Sequence, residues 1–164
     1  MAREGDSARE AMARACADAV VVARFWSKVV DVDGSGCRWW TGALSGRGHG
    51  RFWLGDGRVV VAHRFAFALA KGAEAADAVA VLGHRCDNPL CQRVGEGHIV
   101  ASSHALNRRE WVARRGLADS PLGDPRGARL RAQDLRDRAR RDPALVAAAL
   151  RELRRVSGRQ LTLW

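Results

Sequence analysis

Gly83-His84-Arg-Cys86-Asp-Asn-Pro-Leu-Cys91, followed by His98 and Asn107, is the stretch on which the reading of this 164-residue chain turns. Zinc takes four tetrahedral ligands and favours sulfur and imidazole. Cys86 and Cys91 have four residues between them, and Asn88-Pro89 turns the chain there. His98 follows beside the next expected strand. Cys37, in Gly36-Cys37-Arg-Trp-Trp, supplies a fourth ligand from a distant loop. Cys37, Cys86, Cys91 and His98 are therefore a candidate structural zinc site. The alternative is a pair of buried thiols beside a hydrogen-bonded histidine. Closing such a site contributes on the order of 10–16 kcal/mol in small zinc peptides.

The flanks of the same stretch carry groups suited to phosphodiester hydrolysis. That reaction needs a base for water, a cation at the phosphate and the leaving oxygen, and a scaffold that fixes both. A neutral imidazole is a suitable base near pH 7. His84 stands at an expected strand end beside the zinc loop. Asn107, on the helix expected next, offers a carbonyl oxygen to a hard cation such as Mg²⁺. By spacing alone a single His or Asn is more often structural, so these two residues only suggest a site.

Bulk properties point to the same class of partner. The net charge is +10 and the pI about 11.1, which favours a polyanion, most simply nucleic acid. Arg supplies 26 of the 28 basic residues; a codon preference explains the choice of Arg but not the excess over acids. Residues 1–24 hold four Arg and four acids, whereas residues 105–159 hold 15 Arg against seven acids. The apolar runs are far shorter than the ~20 residues that span a bilayer, and no secretory signal opens the chain. A cytoplasmic protein follows, in which the four cysteines serve metal or buried thiols rather than disulfides.

The organisation expected is α+β. Ser7-Ala-Arg-Glu10 fits a capping box ahead of an Ala-rich helix, and residues 1–23 form an N-terminal helical segment. Short strands are expected at Arg38 to Ala43, His49 to Leu54, Arg58 to Val61, Val79 to Leu82 and Ile99 to Ala101. Helices are expected at Ala62 to Lys71, ended by Gly72, and at Ser103 to Arg115, ended by Gly116. Residues 24–116 make one domain, and 117–128, with Pro121, Gly123, Pro125 and Gly127, a linker. Residues 129–157 form a basic helical region with an N-cap at Asp142 before Pro143; Gly158 ends it, and 158–164 are a tail. Trp26, Trp39, Trp40 and Trp53 read as core residues rather than base-stacking platforms.

Several motifs in one order now carry a resemblance. Trp26-Ser-Lys-Val, Gly36-Cys-Arg-Trp-Trp-Thr-Gly-Ala43, Gly48-His-Gly-Arg-Phe52, Val61-Ala-His-Arg-Phe-Ala66 and His84-Arg-Cys-Asp-Asn-Pro-Leu-Cys91 resemble the HNH endonucleases of phages and mobile elements. The arrangement is similar to the His-Cys box homing endonucleases of the wider ββα-metal (His-Me finger) superfamily, over about residues 24–116. The resemblance implies a small zinc-stapled ββα-metal nuclease core with short antiparallel strands, plus C-terminal helices. It implies His84 as general base, Asn107 as ligand of catalytic Mg²⁺ or another divalent cation, and Cys37, Cys86, Cys91 and His98 as ligands of structural Zn²⁺. Double-stranded DNA would be the substrate. Three departures stand out. Gly83 occupies the place where many relatives carry a second, acidic metal ligand. The segment from Cys91 to His98 is two residues longer and lacks an Asn-Pro. His49 replaces a common aromatic residue.

A cation is also expected at the scissile phosphate, where charge builds in the transition state. Arg64 is the candidate carried into the site, with Arg85 and Arg51 as alternatives; His63 reads as a capping or packing residue. Arg108, Arg109, Arg114 and Arg115 are expected to contact phosphates and position the duplex. The helices after the linker read either as a basic clamp or degenerate helix-turn-helix, or as a solvated face. Arg136, Arg138, Arg140 and Arg141 would carry the clamp's share of the salt dependence. The last residues, Gln160-Leu161-Thr-Leu163-Trp164, resemble the pentapeptide that docks on the bacterial sliding clamp; the alternative is a tail that buries Trp164. A homodimer is compatible with the sequence. The other readings are a non-catalytic zinc-stapled DNA-binding module that retains the fold, and an RNA-directed or toxin-like nuclease.

Overall fold

The computed structural model describes residues 7–117 and 124–160, with the backbone alone for 153–160. The chain is α+β: seven helices and three antiparallel strand pairs among the described residues. The tail residues Leu161, Leu163 and Trp164, and the side chain of Gln160, lie outside the described residues, as does 118–123 of the linker.

Helix α1 (Ala8–Ala17) opens on the expected capping box, in which Ser7 and Glu10 bond each other's backbone N–H. Asp18 ends α1 and caps α2 (Ala19–Trp26) by accepting from Val20 and Val21. Helix α2 runs across the expected boundary at residues 23 and 24, and Met12, Ala15 and Phe25 share the main core. Strand β1 (Val29–Asp31) pairs with β2 (Arg38–Trp40), and β3 (Arg51–Gly55) with β4 (Arg58–Val61). Helix α3 (Ala62–Lys71) follows β4 directly, and the short α4 (Ala73–Ala78) follows Gly72.

The core is an aromatic cluster. Phe25 lies 5.0–5.3 Å, centroid to centroid, from Trp40, Phe52 and Phe65. Such contacts add about 0.5–1.5 kcal/mol per pair beyond the area buried. Gly50 is small because Trp40 passes over it: a Cβ there would stand 2.6 Å from the indole ring. Trp39 and Trp40 are buried as expected, but Trp26 and Trp53 are not. Trp53 takes the outward position of the alternating strand β3, where the Arg24 guanidinium covers its ring at 4.9 Å.

Strand β5 (Val81–His84) pairs with β6 (Ile99–Ser102), and α5 (His104–Arg115) follows at once, with Ser103 as N-cap. No residue of α5 is buried. Ion pairs fasten it instead: Arg114 to Asp87 at 2.9 Å, and Arg85 to Glu110 at 3.8 Å.

Helices α6 (Ala128–Arg141) and α7 (Pro143–Gln160) meet at Asp142, whose carboxylate accepts from Ala144. Gly158 does not end α7. Ala132, Leu135, Ala139, Val146 and Ala147 join the same buried core, so the basic helices pack onto the rest of the chain. Gly48 lets α6 approach the loop before β3: a Cβ there would meet Ala132 at 2.9 Å. No described helix is long and apolar enough to cross a membrane.

Candidate functional site

Strand β2 explains how Cys37 reaches residues fifty positions later. Its free edge pairs with the segment after Pro89: Trp40 N–H donates to Leu90 C=O at 2.9 Å, and Gln92 N–H to Arg38 C=O at 2.8 Å. Trp39 and Cys91 stand opposite each other in this pairing, which draws Cys37 beside Cys91. Asn88 shapes the turn between the cysteines. Its side-chain oxygen accepts from Leu90 N–H and its carbonyl from Cys91 N–H, each at 3.0 Å. Asp87 takes a left-handed conformation, φ 52°, to enter that turn.

The long connection from Cys91 to His98 folds back through Gly95 and Gly97. Gly95 exchanges backbone bonds with His98 and Ile99, and Arg93 C=O accepts from Ile99. His98 thus arrives opposite Arg85, and its Nδ1 lies 3.7 Å from Cys37 Sγ and 3.6 Å from Cys91 Sγ. The donor atoms of Cys37, Cys86, Cys91 and His98 all lie within 4.8 Å of one another. Hydrogen bonding from Cys86 and then Cys91 holds the Cys37 thiol far below its usual value, while the Cys91 thiol, donating to Cys37, is pushed up. Three sulfurs this close cannot all be thiolates without a cation among them, and a Cys₃His set fits zinc.

A second cluster lies at the strand end. His84 closes β5, His49 comes from the loop before β3, and His63 from the first turn of α3. Their ring centroids are 4.7 Å apart for His63 and His84, 5.3 Å for His49 and His63, and 5.8 Å for His49 and His84. Both ring nitrogens of His84, and Nδ1 of His63, are shut off from solvent without a hydrogen-bond partner. Burial lowers the basicity of all three rings; the neighbouring histidines push His63 further down, whereas the Cys86 thiol partly opposes the fall at His84. In the sequence His49 stands out only as a departure from the resembled pattern, and His63 only as a capping or packing residue. Their closeness to His84 is tertiary and has no local signature.

Asn107 reaches the same place from α5. Its Oδ1 lies against Gly83, where a Cβ would stand 3.3 Å away. His84, Asn107, Cys86 and His49 open on one cleft of about 1000 Å³, walled on its far side by α6. Arg47, Arg108 and Arg129 line this cleft and have no hydrogen-bonded or ion-paired partner among the described residues.

Arg64 does not line this cleft. Its guanidinium donates to the carbonyls of Ala76, Val79 and Ala80, tying the end of α4 to the approach of β5. The expected cation at the phosphate is thereby corrected to a structural arginine. Arg85 faces Glu110 rather than standing free. Of the four arginines expected on phosphates, Arg108 and Arg109 are exposed and unpaired among the described residues, Arg115 lies over the Trp111 ring at 4.9 Å, and Arg114 is held by Asp87 and Glu110. The expected clamp residues are also engaged: Arg136 with Asp137, Arg138 with Asp134, Arg140 with Thr41 C=O and Arg141 with Asp137 C=O.

No protein-family model matches the chain, and no solved structure matches it. A stretch of 63 residues is 38% identical to Protein 2.8 of Escherichia phage T7, a name that states no activity. The likeness covers 38% of this chain, which spans 40% of the length of that relative.

Proposed function

We propose that the chain is a metal-dependent DNA endonuclease of the HNH, ββα-metal kind, with His84 as base and Asn107 as ligand of a divalent cation. One observation carries this reading: β5, β6 and α5 set the Asn107 oxygen against the residue that precedes His84, at the foot of an arginine-lined cleft. His84, kept neutral by burial, accepts a proton from water as the water oxygen bonds to phosphorus. The bond from phosphorus to the leaving sugar oxygen breaks, and that oxygen takes its proton from solvent. A divalent ion such as Mg²⁺ at Asn107 Oδ1 would supply Lewis-acid stabilisation of the phosphate and leaving oxygen. Arg47, Arg108 and Arg129 hold backbone phosphates at the mouth. The zinc set fixes the loop that follows His84. Recruitment to a sliding clamp through Gln160, Leu161, Leu163 and Trp164 belongs to the same reading, and a pull-down comparing wild type with the Leu163→Ala, Trp164→Ala double variant tests it.

The test of cleavage is nicking of supercoiled plasmid with Mg²⁺. A general base contributes about 10²–10⁴-fold, so His84→Ala and Asn107→Ala should each lose at least about a hundredfold. Activity that survives His84→Ala refutes the assignment. The enclosure of both His84 nitrogens favours a second reading, a non-catalytic DNA-binding module on the same scaffold. In that case the purified wild type binds duplex DNA and leaves the plasmid intact.

A further inference from the structure

We propose that His49, His63 and His84 form a second metal site, which takes one borderline transition ion such as Zn²⁺ or Co²⁺ through three imidazole nitrogens and leaves a fourth position open to the cleft. The three rings come from a loop, a helix and a strand, and their donor atoms all lie within 4.8 Å of one another. A tetrahedral ion with nitrogens at about 2.0–2.1 Å holds those nitrogens roughly 3.4 Å apart. Closing that gap requires the rings to turn about their side-chain torsions.

The independent sign is the set of orphaned nitrogens. His63 is 91% buried, and its Nδ1 has no partner; both nitrogens of His84 are in the same state. Buried polar atoms in folded proteins are almost always satisfied, so an orphaned nitrogen on each of two facing rings calls for a shared partner, with the other His84 nitrogen left to the neighbouring Cys86 thiol. The rings do not satisfy each other: these nitrogens of His63 and His84 form no hydrogen bond to a neighbouring imidazole. No carboxylate belongs to the cluster, so a proton shared with an acid is not the answer. Arg47 and Arg64 act on His49 and His63 with positive fields that disfavour imidazolium, and the Cys86 thiol beside His84 acts the other way but does not offset the burial of that ring. Neutral imidazole is the form that ligates.

The donor set selects the ion. Imidazole suits zinc, cobalt, nickel and copper, whereas Mg²⁺ prefers oxygen. Three histidines with an open position also differ from the Cys₃His set, which is closed. The site rests on the three rings and stands whether or not the chain cleaves DNA. Where it does cleave, the ion and the proton compete for the same ring of His84.

The experiment uses the full chain loaded with one equivalent of zinc, which the thiolate site takes, and then titrated with cobalt chloride. The expected result is one further equivalent bound, with visible cobalt d–d bands and no thiolate-to-cobalt charge-transfer band. His49→Gln removes that equivalent while the zinc content stays at one. His84→Gln, measured in parallel, does the same through a different element. A wild-type chain that binds no further cobalt overturns the proposal, as does a second equivalent that persists in both variants.

Discussion

The side-chain oxygen of Asn107 lies against the backbone of Gly83, so close that a Cβ on Gly83 would stand 3.3 Å from it and 3.4 Å from Ser102 Cβ. A bare backbone is what admits Asn107 to the end of β5. Gly83→Ala should push the Asn107 amide aside by a few tenths of an ångström. The fold should tolerate this, because the amide is the end of a side chain. The proposed cleavage should not, since small misplacements of a reacting group cost up to about 10²-fold. The expected outcome is a melting temperature within a few degrees of wild type and a plasmid-nicking rate at least about tenfold lower. An unchanged rate would show that Asn107 does not hold the cation.

Local chemistry made much of this legible. Ser7 with Glu10 and Ser103 before α5 mark helix starts by their own side chains. Gly72 after α3 marks its end by backbone freedom, φ 94°. The cysteines announced themselves because few other needs place sulfur at that spacing. What escaped was set by packing. Strand β1 has three residues, too few to show a period, and gains its partner from β2. Strand β5 begins two residues later than expected, so that His84 is its last member rather than two places beyond its end. Trp26 and Trp53 are surface residues because their aromatic faces lie under Arg38 and Arg24. The meeting of His49, His63 and His84 joins elements distant in sequence, and no local pattern encodes it.

Arg64 tests the corrected role of a residue in the right motif but the wrong place. Its guanidinium satisfies three backbone carbonyls near the start of β5. Hydrogen bonds from a charged donor are worth about 1.5–3 kcal/mol, and a carbonyl left without a donor adds to the cost. Arg64→Ala should therefore lower unfolding free energy by about 2–4 kcal/mol. Arg64→Lys recovers only part of that, since one ammonium cannot reproduce the planar fork. Denaturant unfolding measures both. Should Arg64→Ala unfold like wild type yet bind DNA with a shallower salt slope, the arginine faces phosphate after all.

Zinc removal separates the staple from the rest. In Cys86→Ser the zinc content should fall by one equivalent, and stability by several kcal/mol, because metal binding and loop closure are one equilibrium. The damage should centre on the segment from Cys86 to His98, which rests on backbone pairing with β2. Amide hydrogen exchange should then rise at Leu90, Cys91 and Gln92 ahead of the aromatic core. Wild-type zinc content in Cys86→Ser would leave the cluster a set of buried thiols.

Asp124 ties the end of the linker to α6. Its carboxylate accepts from Arg126 at 2.8 Å and faces Arg131 at 3.6 Å. The bond from Arg126 holds Asp124 below its usual value. The sign follows from linkage: a carboxylate whose folded value is depressed adds stability above its unfolded value, near about 3.9, and loses it as pH falls through the folded one. Asp124→Asn should thus melt earlier than wild type at pH 7, and the difference should shrink on acidification below about pH 4. A gap that stays constant with pH would mean that Asp124 acts by shape rather than charge.

On the proposed function, the salt dependence of DNA binding should distinguish the cleft arginines from those engaged with other groups. Each neutralised phosphate contributes about 0.9 to the slope of log K against log salt. Arg47, Arg108 and Arg129 line the cleft without partners among the described residues, so replacing all three by Gln should reduce the slope by about three. Arg136, Arg138, Arg140 and Arg141 are already spent on Asp137, Asp134 and two carbonyls. To reach a phosphate they must first leave those partners, which offsets part of what the phosphate supplies. Neutralising this quartet should therefore change the slope by less than the cleft trio does, although it removes one charge more. The reverse order would move the duplex out of the cleft and onto the outer face of α6.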